Sequence, residues 1–196
     1  MKKIFAVALL SSLSVPALAE SSYYGALDVG QTTVQNACKN LAAVYSCNNS
    51  ATAIRIAVGY QLTPRFGVEA SYGDYGSLKS STSQPTYTWN GETRMSGLEI
   101  VATGNYPISD SFSLLGKLGI ARSSGKHSAV GTGLLAAATF SSSFTSTTAA
   151  YGIGAQYSLT NSVALRVQYD DLGVVGDSEN GKSRINLLSA GVVYKF

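Results

Sequence analysis

Charged residues are scarce in this 196-residue chain: Asp, Glu, Lys and Arg make up 13% of it, about half the share of an ordinary soluble domain. So little charge cannot coat a water-facing exterior, and the outside of the molecule must meet another medium. Long apolar runs are also missing. Beyond the N-terminus no stretch of roughly 18 apolar residues occurs, which excludes a bundle of transmembrane helices. Charge of one sign is not in excess, with 14 basic against 11 acidic residues, so nothing in the balance points to nucleic acid. Disorder is excluded by the abundance of Tyr, Val, Ile and Leu together with the small net charge. What remains is a β-leaning single domain rich in Gly (20) and Tyr (12).

The N-terminus indicates export. Lys2 and Lys3 precede an apolar segment from Ile4 to about Val15, and Ala17-Leu18-Ala19 has the A-x-A form of a cleavage site, so residues 1–19 are expected to be a signal peptide and residues 20–196 the mature domain. Loss of the two lysines leaves 12 basic and 11 acidic groups. An exported chain meets oxidising conditions, and its two cysteines, Cys38 and Cys47, are expected to form one disulfide that staples a loop. As metal ligands they lack a third partner, and as a redox pair they lack the Cys-x-x-Cys spacing.

Eight segments alternate apolar with small or polar residues, the period of strands with two unlike faces. The apolar sets are Tyr23, Leu27, Val29; Ile54, Ile56, Val58, Tyr60, Leu62; Phe66, Val68, Ala70, Tyr72; Leu98, Ile100, Ala102, Tyr106; Phe112, Leu114, Leu118, Ile120; Ala149, Tyr151, Ile153, Ala155, Tyr157; Val163, Leu165, Val167, Tyr169; and Leu188, Ala190, Val192, Tyr194, Phe196. The opposite faces carry Asp28, Arg55, Glu69, Glu99, Lys117 and Arg166 among Gly, Ala and Ser. Three acids against three bases make a self-neutralising set suited to a confined polar interior. A barrel with lipid outside and these charges inside satisfies both faces, and closure leaves no unpaired strand edge in hydrocarbon.

The connections alternate in length. Long ones cover about 31–50, 76–93, 123–146 and 173–182, and tight ones fall at Thr63-Pro64-Arg65, Pro107-Ile108-Ser109 and Thr160-Asn161-Ser162. This spacing predicts an all-β fold: an eight-stranded antiparallel transmembrane β-barrel with short periplasmic turns and long extracellular loops. Aromatic residues group at two levels, Tyr60, Phe66, Tyr106, Phe112, Tyr157, Tyr194 and Phe196 beside the tight turns and Tyr72, Tyr151 and Tyr169 toward the long loops, as interfacial belts require.

The last strand, Leu188 to Phe196, with apolar residues at every second position and a terminal aromatic, resembles the C-terminal signature of bacterial outer-membrane barrels. With Gly67-Val68-Glu69-Ala70-Ser71-Tyr72 and Leu165-Arg166-Val167-Gln168-Tyr169, the chain resembles the small OmpA-type transmembrane β-barrel family. The resemblance implies an integral outer-membrane location, recognition of Tyr194 and Phe196 by the barrel assembly machinery, and a structural or surface-interacting role, with host or cell-surface ligands met by the loops. The chain ends on its last strand, so no periplasmic domain is expected.

An eight-stranded barrel is nearly filled by its own side chains. Pairing about Ile108 sets Glu99 opposite Lys117, and the interior charges either plug the bore or gate a narrow ion channel, as the resemblance implies. The same register pairs Arg94 with Arg122 near the outer-leaflet headgroups, where lipopolysaccharide phosphates would neutralise them and Arg184 would contribute nearby. A lipid A-modifying enzyme is the remaining alternative. His127, the only His, precedes Ser128, and adjacent strand residues face opposite ways, so the pair is badly arranged for catalysis and no enzyme activity is expected. The apolar segment 129–140 is expected to extend and pack on itself as a hairpin, and Asn90-Gly91, beside Trp89, reads as a turn. No cofactor and no metal site is expected.

Overall fold

The computed structural model of the protein describes residues 23–38, 46–133, 137–175 and 182–196. Within them nine strands form: β1 (Tyr23–Gln35), β2 (Ser46–Cys47), β3 (Ser50–Gln61), β4 (Phe66–Gln84), β5 (Tyr87–Pro107), β6 (Phe112–Gly133), β7 (Ala137–Ser158), β8 (Val163–Val175) and β9 (Ser183–Lys195). Eight of them close a ring in the order β4-β3-β1-β9-β8-β7-β6-β5 and back to β4, every pair antiparallel. The two-residue β2 lies on β4, with Cys47 opposite Ser80, and the Cys38–Cys47 disulfide ties it to the end of β1. The expected signal peptide falls outside the described residues.

Alternation decides which way each strand faces. Ile54, Ile56 and Val58 are 56%, 58% and 67% exposed, whereas Arg55 between them is 1% exposed. The same inversion runs around the ring, from Leu27 and Val29 on β1 to Leu188 and Val192 on β9. A continuous apolar girdle of this extent is incompatible with water and fits the hydrocarbon of a bilayer. At its tight-turn end stand Tyr23, Tyr60, Phe66, Tyr106, Phe112, Tyr157, Tyr194 and Phe196, all exposed, with the Tyr23 and Tyr60 rings 4.7 Å apart.

The three tight turns share one construction. In Leu62-Thr63-Pro64-Arg65-Phe66, Ile108-Ser109-Asp110-Ser111-Phe112 and Leu159-Thr160-Asn161-Ser162-Val163, the first two amides donate to the carbonyl of the last residue. The Thr63, Ser109 and Thr160 hydroxyls accept the amides of Phe66, Phe112 and Val163 at 3.0, 3.2 and 3.0 Å. The β5–β6 turn therefore centres on Asp110 and not on Ile108. Thr103 pairs with Lys117, and Glu99 pairs with Ala121, which corrects the expected Glu99–Lys117 register. The displacement is an even number of residues, so every inward residue stays inward.

Two of the expected loops are strand instead. β4 and β5 continue to a turn at Pro85-Thr86, with Gln84 paired to Tyr87; Asn90 and Gly91 lie inside β5 and form no turn. β6 and β7 stay paired up to Thr132 and Ala137. Above the membrane neither face meets lipid, so the apolar alternation stops although the backbone ladder goes on.

Two bulges mark that transition. Gly76 and Gly173 have φ of 78° and 81°, and the register shifts between Asp74 and Ser77 on β4 and between Asp171 and Val174 on β8. At each bulge an Asp carboxylate accepts the glycine amide, Asp74 from Gly76 at 2.9 Å and Asp171 from Gly173 at 2.8 Å. The residue between, Tyr75 or Leu172, is driven into the bore and fully buried.

The interior is layered, with the expected polar set confined to its middle. Ala26, Ala57, Ala164 and Val193, with Tyr24 against them, pack the turn end. Charged residues fill the middle. Above them Tyr75, Leu78, Met95, Leu172, Ile185 and Leu187 form an apolar cluster with Val34 and Val175.

Candidate functional site

The middle layer is one connected network. Arg166 donates through Nη2 to Asp28 at 2.7 Å and through Nη1 to Glu69 at 2.6 Å. Glu69 also accepts from Lys117 Nζ at 2.6 Å and from the Tyr24 hydroxyl at 3.0 Å. Arg55 donates from Nε to Asp28 at 3.2 Å and from Nη1 to Asp170 at 2.7 Å, with Glu99 at 3.6 Å from the same nitrogen. Gln168 donates to Asp28 at 3.3 Å. All these side chains except Tyr24 are buried, and fixed donor–acceptor geometry with apolar layers on both sides makes each ion dependent on its partners.

The partner of Lys117 is therefore Glu69, whereas Glu99 faces Arg55. Asp170 was not among the residues read from the sequence, although it follows Arg166 and Gln168 on the same inward parity. It brings the acids to four against three bases. Glycines make room for these groups in the narrow bore. A Cβ at Gly191 would strike Asp28, and one at Gly152 would strike the Asp170 carboxylate.

The arginines expected near the headgroups are distributed differently. Arg94 pairs across strands with Lys126, and Arg122 with Leu98, because the turn centres two residues later than expected. Arg94 and Lys126 line an outer cleft of about 390 Å³ with Tyr72, Asp74, Ser96 and Ser124. Arg94 donates to Glu92 at 3.0 Å, and that bond holds the Glu92 carboxyl below its ordinary range. Arg184 lies on β9, across the ring from β5 and β6. It is bound there to Asp171 at 2.8 Å and to the Tyr151 hydroxyl at 3.2 Å, so it does not join the other two.

His127 points to the lumen side of the sheet and Ser128 to the other side. Across strands His127 stands opposite Thr93 and Ser142, and its Nδ1 lies 2.9 Å from the Thr93 hydroxyl. Tyr194 and Phe196 face outward with their rings 5.2 Å apart, edge to face, and the Phe196 amide donates to the Tyr23 carbonyl at 3.1 Å.

Above the membrane β4 to β7 stand as a sheet. β7 pairs with β8 only between Tyr151 and Ser158, whereas it pairs with β6 all the way to Ala137. Among the described residues no strand lies along the other edge of β7 from 138 to 145. On the lumen face of this sheet Trp89 packs on Phe140, ring centroids 5.8 Å apart, so the apolar segment 129–140 is the paired tip of the hairpin as far as it is described.

Comparison with known proteins agrees with this geometry. A family model for the outer membrane protein beta-barrel domain matches residues 5–196. Outer membrane protein A of Klebsiella pneumoniae is 28% identical over 142 residues, covering 70% of this chain and 39% of the relative, so the chain spans about two fifths of that relative's length. Among solved structures, the Yersinia pestis attachment invasion locus protein Ail superposes with a TM-score of 0.53 at 17% identity, covering 91% of this chain and all of that one. Ail has also been crystallised with the heparin analogue sucrose octasulfate. Neisserial surface protein A superposes with a TM-score of 0.52 at 19% identity, with coverage of 91% and 100%.

Proposed function

The chain belongs to the outer membrane protein beta-barrel domain family, and from that membership we propose that this integral outer-membrane barrel acts through the sheet it raises above the bilayer, by contact with surface ligands. The observation that carries the reading is the open edge of β7. Exposed edges are ordinarily blunted with lysine, proline or bulges. The segment from Phe140 to Thr145 has none of these, offering only Ser, Thr and Phe. Such an edge accepts an extended strand from a partner by main-chain hydrogen bonds, with Phe140 and Phe144 supplying apolar contacts. The capture of a heparin analogue by Ail supports a binding role for barrels of this shape.

Adhesion of cells displaying the chain to host-cell monolayers tests the reading. Removing residues 129–140 joins Ser128 to Ser141, which are already paired, and leaves the barrel intact. Both that deletion and Ser141→Lys with Ser143→Lys are expected to abolish the adhesion conferred by the chain. Undiminished adhesion by both would refute it.

The cleft at Arg94 and Lys126 favours a second contact, with lipopolysaccharide phosphates, since it sets two cations on adjacent strands at a height above the apolar band, with Glu92 bonded to Arg94 and Asp74 on the cleft wall. Arg94→Ser with Lys126→Ser is expected to lower lipopolysaccharide co-purification, while Arg184→Ser leaves it unchanged. Within this reading the charge network is structural and not a gate. The apolar layers on either side of it support that.

A further inference from the structure

Among the described residues the lumen is not filled to its mouth. Above the apolar cluster lies a cavity of about 310 Å³, at the small end of the range for ligand pockets, roughly 300–1,000 Å³. Its walls are the upper members of that cluster, Val34, Leu78, Met95 and Val175, with Phe144 from β7. These residues come from β1, β4, β5, β8 and β7, so the cavity lies on the barrel axis. The buried Tyr75 and Leu172 belong to the same cluster, which closes the floor against the charge network. A molecule entering from outside would be held and not passed on.

The polar part of the lining lies on both sides of the bore. Thr93, His127 and Ser142 sit directly opposite one another on β5, β6 and β7, and Ser183 adds a hydroxyl from β9. Thr93 engages His127 Nδ1 at 2.9 Å, which fixes the ring and leaves Nε2 as its remaining polar atom. Among the described residues no carboxylate and no Lys or Arg lines the cavity. Lys79, Glu92, Arg94, Lys126 and Arg184, the charged strand residues next in sequence to the lining, are on the outward parity of their strands.

We infer that this cavity binds a small apolar molecule carrying one anionic hydrogen-accepting head, the size and chemistry of a short-chain monocarboxylate. The tail lies against Leu78, Met95, Phe144 and Val175, and the head takes hydrogen bonds from His127 and the Ser142 hydroxyl. Among the described lining residues a cationic head finds no carboxylate to accept from it, whereas an anionic head finds donors in His127 and Ser142.

Met95 provides the reporter, because the only other methionine in the chain is Met1. With the ¹³C-methyl methionine chain folded in nanodiscs of uncharged phospholipid, hexanoate is expected to shift the Met95 methyl resonance saturably, and hexylammonium to leave it in place. His127→Ala is expected to weaken hexanoate about tenfold, the loss of one hydrogen bond to a charged head. Leu78→Trp fills the cavity and is expected to abolish the shift. Ser142→Trp, on an exposed stretch of strand, serves the same purpose should the first variant fail to assemble, with assembly read from heat-modifiable gel mobility. A shift that rises linearly without saturating, or persists in an occluded and folded variant, reports partition into the bilayer and overturns the site. Equal binding of hexanoate and hexylammonium, or no change with His127→Ala, overturns the assignment of the head.

Discussion

Asp28 shows how much one side chain can carry in a bore this narrow. It accepts from Arg55, Arg166 and Gln168 at once, whereas Asp170 accepts from Arg55 alone. Removing an acid that satisfies two buried guanidinium groups leaves both under-compensated, and breaking such a pair from one side costs about 3–5 kcal/mol. Asp28→Asn is therefore expected to lower the barrel's unfolding free energy by about that much, measured by urea unfolding in phospholipid vesicles. Asp170→Asn is expected to cost clearly less, because it relieves an excess of acid over base. Equal losses would show that the network does not distribute charge in the way its bonds indicate. The inward parity of Asp28, Arg55, Glu69, Glu99, Lys117 and Arg166 was legible from alternation alone. Their partners were not: Arg166 and Asp28 lie 138 residues apart and Arg55 and Asp170 lie 115 apart, and only ring closure brings such positions together.

Turns and bulges set register, and both had signals in the sequence. The pattern of an apolar residue, Thr or Ser, two further residues and another apolar residue recurs at Leu62, Ile108 and Leu159. Proline at 107 drew the middle turn toward the wrong centre, although the recurring hydroxyl at Ser109 marks the right one. Ser109→Ala removes the acceptor for the Phe112 amide and is expected to cost about 1 kcal/mol without changing the fold. The Asp-x-Gly pairs at 74–76 and 171–173 are the corresponding marks for the bulges. Gly76→Ala places an L side chain at φ 78° and against the Thr52 carbonyl. It is expected to cost about 1–2 kcal/mol from the backbone alone, and more if Thr52 cannot give way. Cys38→Ser with Cys47→Ser acts at the same scale. It releases β2 from the end of β1, with an expected loss of roughly 2–3 kcal/mol by the chain-entropy account, while the barrel's heat-modifiable mobility persists.

For the whole molecule the decisive feature is vertical order along the barrel axis: small apolar residues at the turn end, ions in the middle, an apolar cluster above, and a cavity beside a raised sheet. Apolar side chains cover both ends of the charged layer, an arrangement that opposes a continuous hydrated path. Planar-bilayer recordings of the folded chain are expected to be silent. Reproducible conductance altered by Lys117→Met, which frees Glu69, would make the network a gate.

The chain's own pattern determined the closed antiparallel barrel, the lipid-facing and lumen-facing sets and the identity of most interior charges, because a period of two is a local property that each strand displays separately to lipid or lumen. Only the tertiary structure decided who pairs with whom inside, how far the hairpins rise, and where the apolar cluster and its cavity sit. Those depend on register accumulated around eight strands and on bulges that exchange the two faces. Beyond the bilayer the solvent is the same on both sides of a sheet, so composition no longer records which residues are strand. There the backbone ladder, visible only in the fold, holds β4 to β7 upright and leaves the β7 edge unpaired from 138 to 145 among the described residues.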